Sequence, residues 1–472
     1  MKKERFSSKG KIPNYILLCI AMVILLLLVG MSDLNVQESF VVAYFIYTFL
    51  RFINNLSNTI NIFDFLIFFS TLSTLLSAVI AYRFFGASNF YTHLWRSGMG
   101  VPEETYFDYL IPANLALFAG LNLVFYKNTR NAVVYVERAK AYVADKTKVG
   151  VTFIAIGLVS TQFMGHVPES LSFIFYLFGM LGYVGGFYLY FSLKKRRGLV
   201  ITLMTVAFFL QALQKGVFGE FIMYVMLAAS LIIAQYRFRF LPKLSLFVIG
   251  FFAIVILQSV KIQYRNLTWT SKGQTSADYR GKGNAEIFSD LVMDRLTDPS
   301  SIFSEKSLFY MNRRLNQGWL ISLTMNYVPR VEPFANGETI WLSLAAVLVP
   351  RFLWPDKPEA GGAFNLARFV GIKKKLNYSM NIGPYGEGYG NFGPVGGVVF
   401  IFLYGLVIAF FLHKTLQMTK KYPSLIIWMP LLFYYVLNVE TDILTTINSF
   451  VKAVVFIFFI YWGAKKFFRT DI

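Results

Sequence analysis

Two adjacent arginines followed by two side-chain amides, in Asn312-Arg313-Arg314-Leu315-Asn316-Gln317-Gly318-Trp319, make a dense set of hydrogen-bond donors. An arginine fork grips phosphate through two parallel bonds and keeps its charge when partly desolvated. Neighbouring side chains on a helix point about 100° apart, so Arg313 and Arg314 are not expected to serve one ligand together. Either contacts an anion, or pairs with Asp294, Asp298 or Glu305. Arg351 opens a second run, Arg-Phe-Leu-Trp-Pro-Asp-Lys-Pro, in which Pro355 and Pro358 stiffen the chain and fix the directions of Arg351 and Lys357. Trp354 there offers a flat face to a sugar ring; Trp and Arg equally suit an anchor at lipid headgroup level. A third run, Gly386-Glu387-Gly388-Tyr389-Gly390-Asn391-Phe392-Gly393, reads as a tight, pocket-forming turn around one carboxylate. Glu387 there either accepts a proton from an attacking hydroxyl or pairs with Arg351 or a lysine.

Tyr385, Tyr389 and Asn391 are candidate substrate contacts beside Glu387, and Arg265, Arg280, Lys215 and Glu220 complete the set. The glycine run lacks the preceding strand and following Lys-Ser/Thr of a phosphate loop. No HExxH, paired external carboxylates or nucleophile elbow stands out, so neither a metal nor a cofactor is expected. His93, His166 and His413 sit near the ends of apolar runs, where histidine is more often interfacial than catalytic.

The elements that position these residues are membrane helices. The chain has 472 residues, 56% hydrophobic and 15% charged, with a mean hydropathy of +0.53; soluble domains are about 25% charged. Its 45 Lys+Arg against 25 Asp+Glu give a net charge of +20. Those cations are scattered between apolar runs rather than gathered on one soluble domain, which excludes a nucleic-acid binder. The single cysteine, Cys19, lies in the first apolar run, so no disulfide framework is available.

Twelve spans are expected, near residues 13–31, 40–53, 62–85, 107–126, 149–165, 171–193, 199–213, 221–236, 244–260, 396–412, 425–437 and 450–462. Basic clusters follow the fourth, sixth, eighth, tenth and twelfth, on the side of the basic N-terminus. By the positive-inside bias that side is cytoplasmic. An extra crossing at Trp341–Leu353 would invert every later cluster, so this run is expected to be re-entrant or interfacial. Three regions result: spans one to nine over 1–260, an external loop over 261–391, and the last three spans over 392–472. The loop carries sixteen Lys+Arg, Lys373 to Lys375 among them, against eleven Asp+Glu. That excess suits either an anionic ligand or a solvated face with internal ion pairs.

The order of these features resembles the O-antigen and exopolysaccharide repeat-unit polymerases (Wzy-type). The resemblance is carried by Gln263-Tyr264-Arg265 after the ninth span, RRLNQGW, GETIWLSLAAVLVPRFLWPDKP and GEGYGNFGPVGG. It implies an all-α, GT-C-like fold at the bacterial inner membrane and metal-independent, inverting glycosyl transfer at the periplasmic face. It also implies an undecaprenyl-diphosphate-linked oligosaccharide as substrate, with a flippase and a chain-length regulator as partners. Glu387, Arg351 and Arg313 would then be catalytic. The remaining candidates would bind substrate: arginines at the diphosphate, aromatic residues at the sugars. An O-antigen ligase is expected to carry a histidine in the large loop, which this chain lacks. A transporter would show paired repeats and midplane charge.

Overall fold

A computed structural model describes residues 12–56, 58–125, 132–236, 238–269, 281–349, 353–372 and 380–472. Among these there is no β-strand. In chain order come α1 (Asn14–Met31), α2 (Val36–Asn55), α3 (Ile62–Phe84), α4 (Glu103–Asn122), α5 (Thr147–Phe163), α6 (Leu171–Ser192), α7 (Arg197–Lys215), α8 (Phe218–Ile233) and α9 (Phe240–Trp269). Shorter helices follow: α10 (Asn284–Thr297), α11 (Glu305–Leu315), α12 (Gly318–Tyr327), α13 (Glu338–Leu348) and α14 (Ala363–Val370). The chain closes with α15 (Gly383–Met418), α16 (Pro423–Leu437) and α17 (Ile443–Phe468).

Each expected span coincides with a helix, and eight of them (α1, α2, α3, α6, α7, α9, α15 and α17) are long and apolar enough to cross a bilayer. Only 11% of the most apolar stretch of α1, and of α9, is buried, against 72% for α3. So much exposed apolar surface on peripheral helices needs lipid against it. The protein is an all-α membrane protein with α3 near its centre.

Polar locks hold both ends of the bundle. Arg51 of α2 donates to Asp64 of α3 at 2.8 Å and reaches Asn122 of α4 at 2.5 Å. Lys243 of α9 donates to the Asn54 carbonyl at this same end, so α9 rises from here toward α10–α14. At the other end a capping box of Asn35 and Glu38 starts α2, and Arg83 of α3 clasps Glu38 at 2.6 and 2.9 Å. A π-turn at Thr71–Leu76 interrupts α3. Beside it the Ser73 carbonyl accepts the Gln317 N–H at 3.0 Å, tying α3 to the start of α12.

α4 and α15 make the most extensive helix–helix contact. Gly120 permits it: its α-carbon faces the Phe402 carbonyl and the Leu406 N–H, leaving no room for a side chain. Small residues let helix backbones approach this closely.

Two expected boundaries are corrected. The stretch from Lys261 does not open as a loop, because α9 continues unbroken to Trp269 and carries Lys261 and Arg265 with it. The Gly386–Gly393 run is not a turn: Gly383 to Phe392 is helical and leads into α15, with one break at Gly393 (φ 70°, ψ −171°). Its glycines answer to crowding, since Gly388 meets Phe400 and the Tyr109 hydroxyl, and Gly390 meets the Phe369 ring. α13, the expected re-entrant run, has 11 residues. At about 1.5 Å per residue it spans roughly 16 Å, too short for a hydrocarbon core of about 30 Å. It packs on α17 and α15.

Candidate functional site

A cavity of about 710 Å³ opens at the end of the bundle that bears α10–α14. Its roof is the sharp turn from α11 to α12. Ser304 caps α11 by accepting the Ser307 N–H, and the helix ends at Leu315. Asn316 and Gln317 then bend the chain, with Gln317 held by the Ser73 carbonyl and by its own amide, which donates to the Asn381 carbonyl at 2.6 Å. This turn sets Arg313, Arg314, Asn316 and Gln317 in the cavity wall. Facing them are Glu220 at the start of α8, Tyr434, Tyr435 and Asn438 from the end of α16, the Glu440–Thr441 connection, and Thr445, Asn448, Ser449 and Lys452 along α17.

Among the described residues, three cations (Arg313, Arg314 and Lys452) and two carboxylates (Glu220 and Glu440) line the cavity. Arg314 Nη1 pairs with Glu440 Oε2 at 2.9 Å. Lys261 and Arg265 of α9 lie close enough to Arg314 for the three charges to repel, so these three crowd along one side. Arg313 stacks over the Trp95 ring at 4.9 Å. The Lys452 ammonium sits 4.1 Å above Phe173. Tyr434 packs edge-on against Tyr435 at 4.8 Å and stacks on Tyr224 at 5.1 Å. The cavity therefore offers fixed guanidinium forks, aromatic faces and side-chain amides. That combination fits an anion and a polyhydroxylated ligand together.

A family model described as a domain of unknown function (DUF8712) matches residues 108–465. The chain belongs to the DUF8712 family. No curated protein and no solved structure matches it. The matched segment contains every described residue that lines the cavity of this DUF8712 protein.

Of the residues singled out from sequence, Arg313, Arg314, Asn316 and Glu220 line the cavity. Arg265 stands beside it, donating to the Gly216 carbonyl at 2.7 Å and stacking on Trp269 at 4.5 Å. Lys215 is exposed on the last turn of α7, its charge felt by Glu220. Of the expected ion pairs, that of Arg314 is made with Glu440 rather than with Asp294, Asp298 or Glu305.

Four candidates are structural rather than exposed to a ligand. Tyr385 is buried, its hydroxyl 2.5 Å from that of Ser70. Tyr389 is buried against Tyr109 and Phe334. Asn391 is a brace: it accepts the Gly337 N–H at 3.1 Å and donates to Thr339 at 2.7 Å and to the Glu387 carbonyl at 2.8 Å. Lys357 closes the end of α13, donating to the Ala346 and Val349 carbonyls at 2.7 and 2.8 Å. Trp354 is half-buried next to it, outside the cavity wall. Arg351, Arg280 and Lys373 to Lys375 lie outside the described residues.

Glu387 is corrected as well. It is 0% exposed and sits behind the wall, where Oε1 accepts the Ile443 N–H at 2.8 Å, so it cannot meet a substrate hydroxyl. Its neighbour is Asp442, whose carboxyl burial pushes above the ordinary range. Outside the cavity, Arg368 bridges Glu332 at 3.0 Å and Glu338 at 2.8 Å. Its guanidinium holds the Glu338 carboxyl below its usual range.

The α16–α17 side of the cavity was absent from the sequence-derived set. Its signal is there: Thr445, Asn448, Ser449 and Lys452 recur at three- and four-residue steps on an otherwise apolar helix, which puts them on one face.

Proposed function

We propose that this DUF8712 protein is a glycosyltransferase of the bacterial inner membrane. It polymerises undecaprenyl-diphosphate-linked oligosaccharide repeat units into O-antigen, capsule or exopolysaccharide. The observation that carries the reading is the cavity itself: Arg313 and Arg314 stand in one wall, Tyr434, Tyr435 and Lys452 in the facing one, beside helices that offer an apolar flank to lipid. In this reading twelve helices cross the membrane in a GT-C-like arrangement, both termini are cytoplasmic, and α10–α14 form a periplasmic cap with α13 re-entrant.

The chemistry follows from the wall. Glycosyl transfer with inversion requires an acceptor hydroxyl to attack the anomeric carbon while the carrier diphosphate departs. Arg313 and Arg314, with Lys261 and Arg265 behind them, neutralise charge gathering on that leaving group. Tyr434, Tyr435 and Trp319 present faces and edges to the sugars. With Glu387 buried, the carboxylates that can receive the acceptor's proton are those of the wall. Glu440 is committed to Arg314, so Glu220 takes that role. A flippase delivers the substrate and a chain-length regulator acts on the product.

The test is direct. Purified protein added to a lipid-linked repeat unit should give a ladder of longer glycans and free carrier diphosphate without added divalent metal. Repeat units left unextended, in a preparation that is folded and monodisperse, would overturn the reading.

A further inference from the structure

The end of the bundle away from the cavity carries positive charge that the chain does not offset. Between Glu169 and Asp278 the sequence has one carboxylate, Glu220, and that one lines the cavity at the opposite end. Two connections at the far end are basic: Lys194-Lys195-Arg196-Arg197 joins α6 to α7, and Arg239 stands in the short link from α8 to α9. One tyrosine of α6 pins both together. The Tyr190 carbonyl accepts the Arg197 Nε–H at 3.1 Å, and the Tyr190 hydroxyl accepts the Gln235 side-chain amide at 3.2 Å. Lys195, Arg196 and Arg239 are left exposed, and among the described residues none of them pairs with a carboxylate.

Other cations at this end are met from within the protein. Lys140 pairs with Glu137 at 2.9 Å, Lys146 sits 3.8 Å above the Tyr142 ring, and Lys243 donates to the Asn54 carbonyl. What adjoins the unmatched three is apolar. Leu199, Leu203, Val206 and Leu210 are exposed and recur at steps of four, three and four along α7, which puts them on one outward stripe. Leu241, Ile249 and Phe252 are exposed on α9, and exposed Tyr236 and Phe238 stack at 5.7 Å beside Arg239. Cations that suit a phosphate therefore run straight into a surface that suits acyl chains, since Arg196 and Leu199 are only one helical turn apart. A free phosphate or a nucleotide would use the first and leave the second bare. A charged lipid uses both.

We propose that Lys195, Arg196 and Arg239 bind the phosphodiester headgroup of an anionic phospholipid, whose acyl chains lie along the exposed stripe of α7. The guanidinium forks of Arg196 and Arg239 match phosphate oxygens bidentately, and Lys195 adds a point charge. Tyr236 and Phe238 stand at the level where aromatic rings favour the boundary between headgroups and hydrocarbon. The bound lipid supplies the negative charge that this stretch of chain lacks, and it joins the α6–α7 and α8–α9 connections at the surface as Tyr190 joins them underneath. The site is at the opposite end of the bundle from the cavity and stands whether or not the cavity takes a lipid-linked glycan.

The test is native mass spectrometry of the full-length protein in detergent, titrated with phosphatidylglycerol or with phosphatidylcholine of the same acyl chains. Wild type should retain phosphatidylglycerol saturably and in preference to phosphatidylcholine. Lys195→Gln, Arg196→Gln and Arg239→Gln should each weaken that retention by about fivefold, the weight of one cation near an anionic lipid. Lys140→Gln, which removes a cation already paired with Glu137, should leave it unchanged. Glycerophosphoglycerol, the same headgroup without chains, should not displace the lipid. The substituted side chains are exposed, and the comparison of the two lipids is made on wild type alone, so the outcome does not hang on the folding of a variant. Equal retention of the two lipids overturns the site, as does undiminished retention of phosphatidylglycerol when all three cations are replaced. Displacement by glycerophosphoglycerol would assign a free-anion site instead and also overturns it.

Discussion

Arg314 of α11 and Glu440 of the α16–α17 connection lie 2.9 Å apart and join two walls of the cavity that are far apart in sequence. The pair is 56% and 31% exposed, so it contributes only about 0–1 kcal/mol to stability. Arg314→Ala and Glu440→Gln should accordingly leave the melting temperature nearly unchanged yet abolish glycan laddering. Full-length polymer from both variants would remove the pair from the site.

Arg313 offers a second separation of charge from shape. Its guanidinium is held flat over Trp95, a geometry that an ammonium on a flexible stem cannot reproduce. Arg313→Lys should reduce polymer formation by about tenfold or more, the weight of one charge-assisted hydrogen bond. Trp95→Leu should move in the same direction by a smaller factor, and turnover assays of both variants would show whether the ring matters.

Asn391 is placed in the framework, and the prediction for it is the reverse. Asn391→Ala strands the Gly337 N–H and the Thr339 hydroxyl inside the protein, at a cost of about 1–3 kcal/mol. Loss of thermal stability should accompany any loss of activity. Activity lost at unchanged stability would return Asn391 to the site.

Gly120 tests the α4–α15 seam. A side chain there meets the Phe402 carbonyl, so Gly120→Leu should destabilise by about 1–3 kcal/mol or more from overpacking. Gly463, around which nothing lies within 4 Å, should tolerate Leu. Detergent melting curves of the two variants make the comparison.

The Arg368 clamp carries a pH signature. Arg368 holds the Glu338 carboxyl below its usual range, so the clamp's contribution is present above that range and fades as pH falls through the lower folded-state one. The melting-temperature gap between wild type and Arg368→Gln should be constant near neutrality and close in acid, once the lowered carboxyl takes up its proton. A gap that persists in acid would show packing of the Arg368 stem as its source.

Most of the helical framework was legible, because a membrane helix must be a continuous apolar run and such runs are visible one residue at a time. The ends were less so. Lys261 to Arg265 read as loop because they are polar, although a helix that leaves the lipid loses nothing by continuing. The run around Glu387 read as a turn because glycine usually marks one; here the glycines fit between Phe400, Tyr109 and Phe369, partners that only the folded chain brings near. Half the cavity was legible for a similar reason. Arg313, Arg314 and Asn316 stand out in a polar segment, whereas Thr445 and Lys452 are thinly spaced on an apolar helix. That Glu387 would find Asp442 rather than an arginine depends on the fold of α14, α15 and α17 together.

The break at Gly393 turns α15 into a ruler. Its 36 residues would measure about 54 Å if straight, against a hydrocarbon layer of about 30 Å. The stretch after the break is about 37 Å long and shows apolar side chains outward at once, with Val395 78% and Val399 54% exposed. The ten residues before it stand about 15 Å tall and end beside the cavity. The height of the cavity above the first outward-facing apolar turn of α15 is thereby set by covalent geometry.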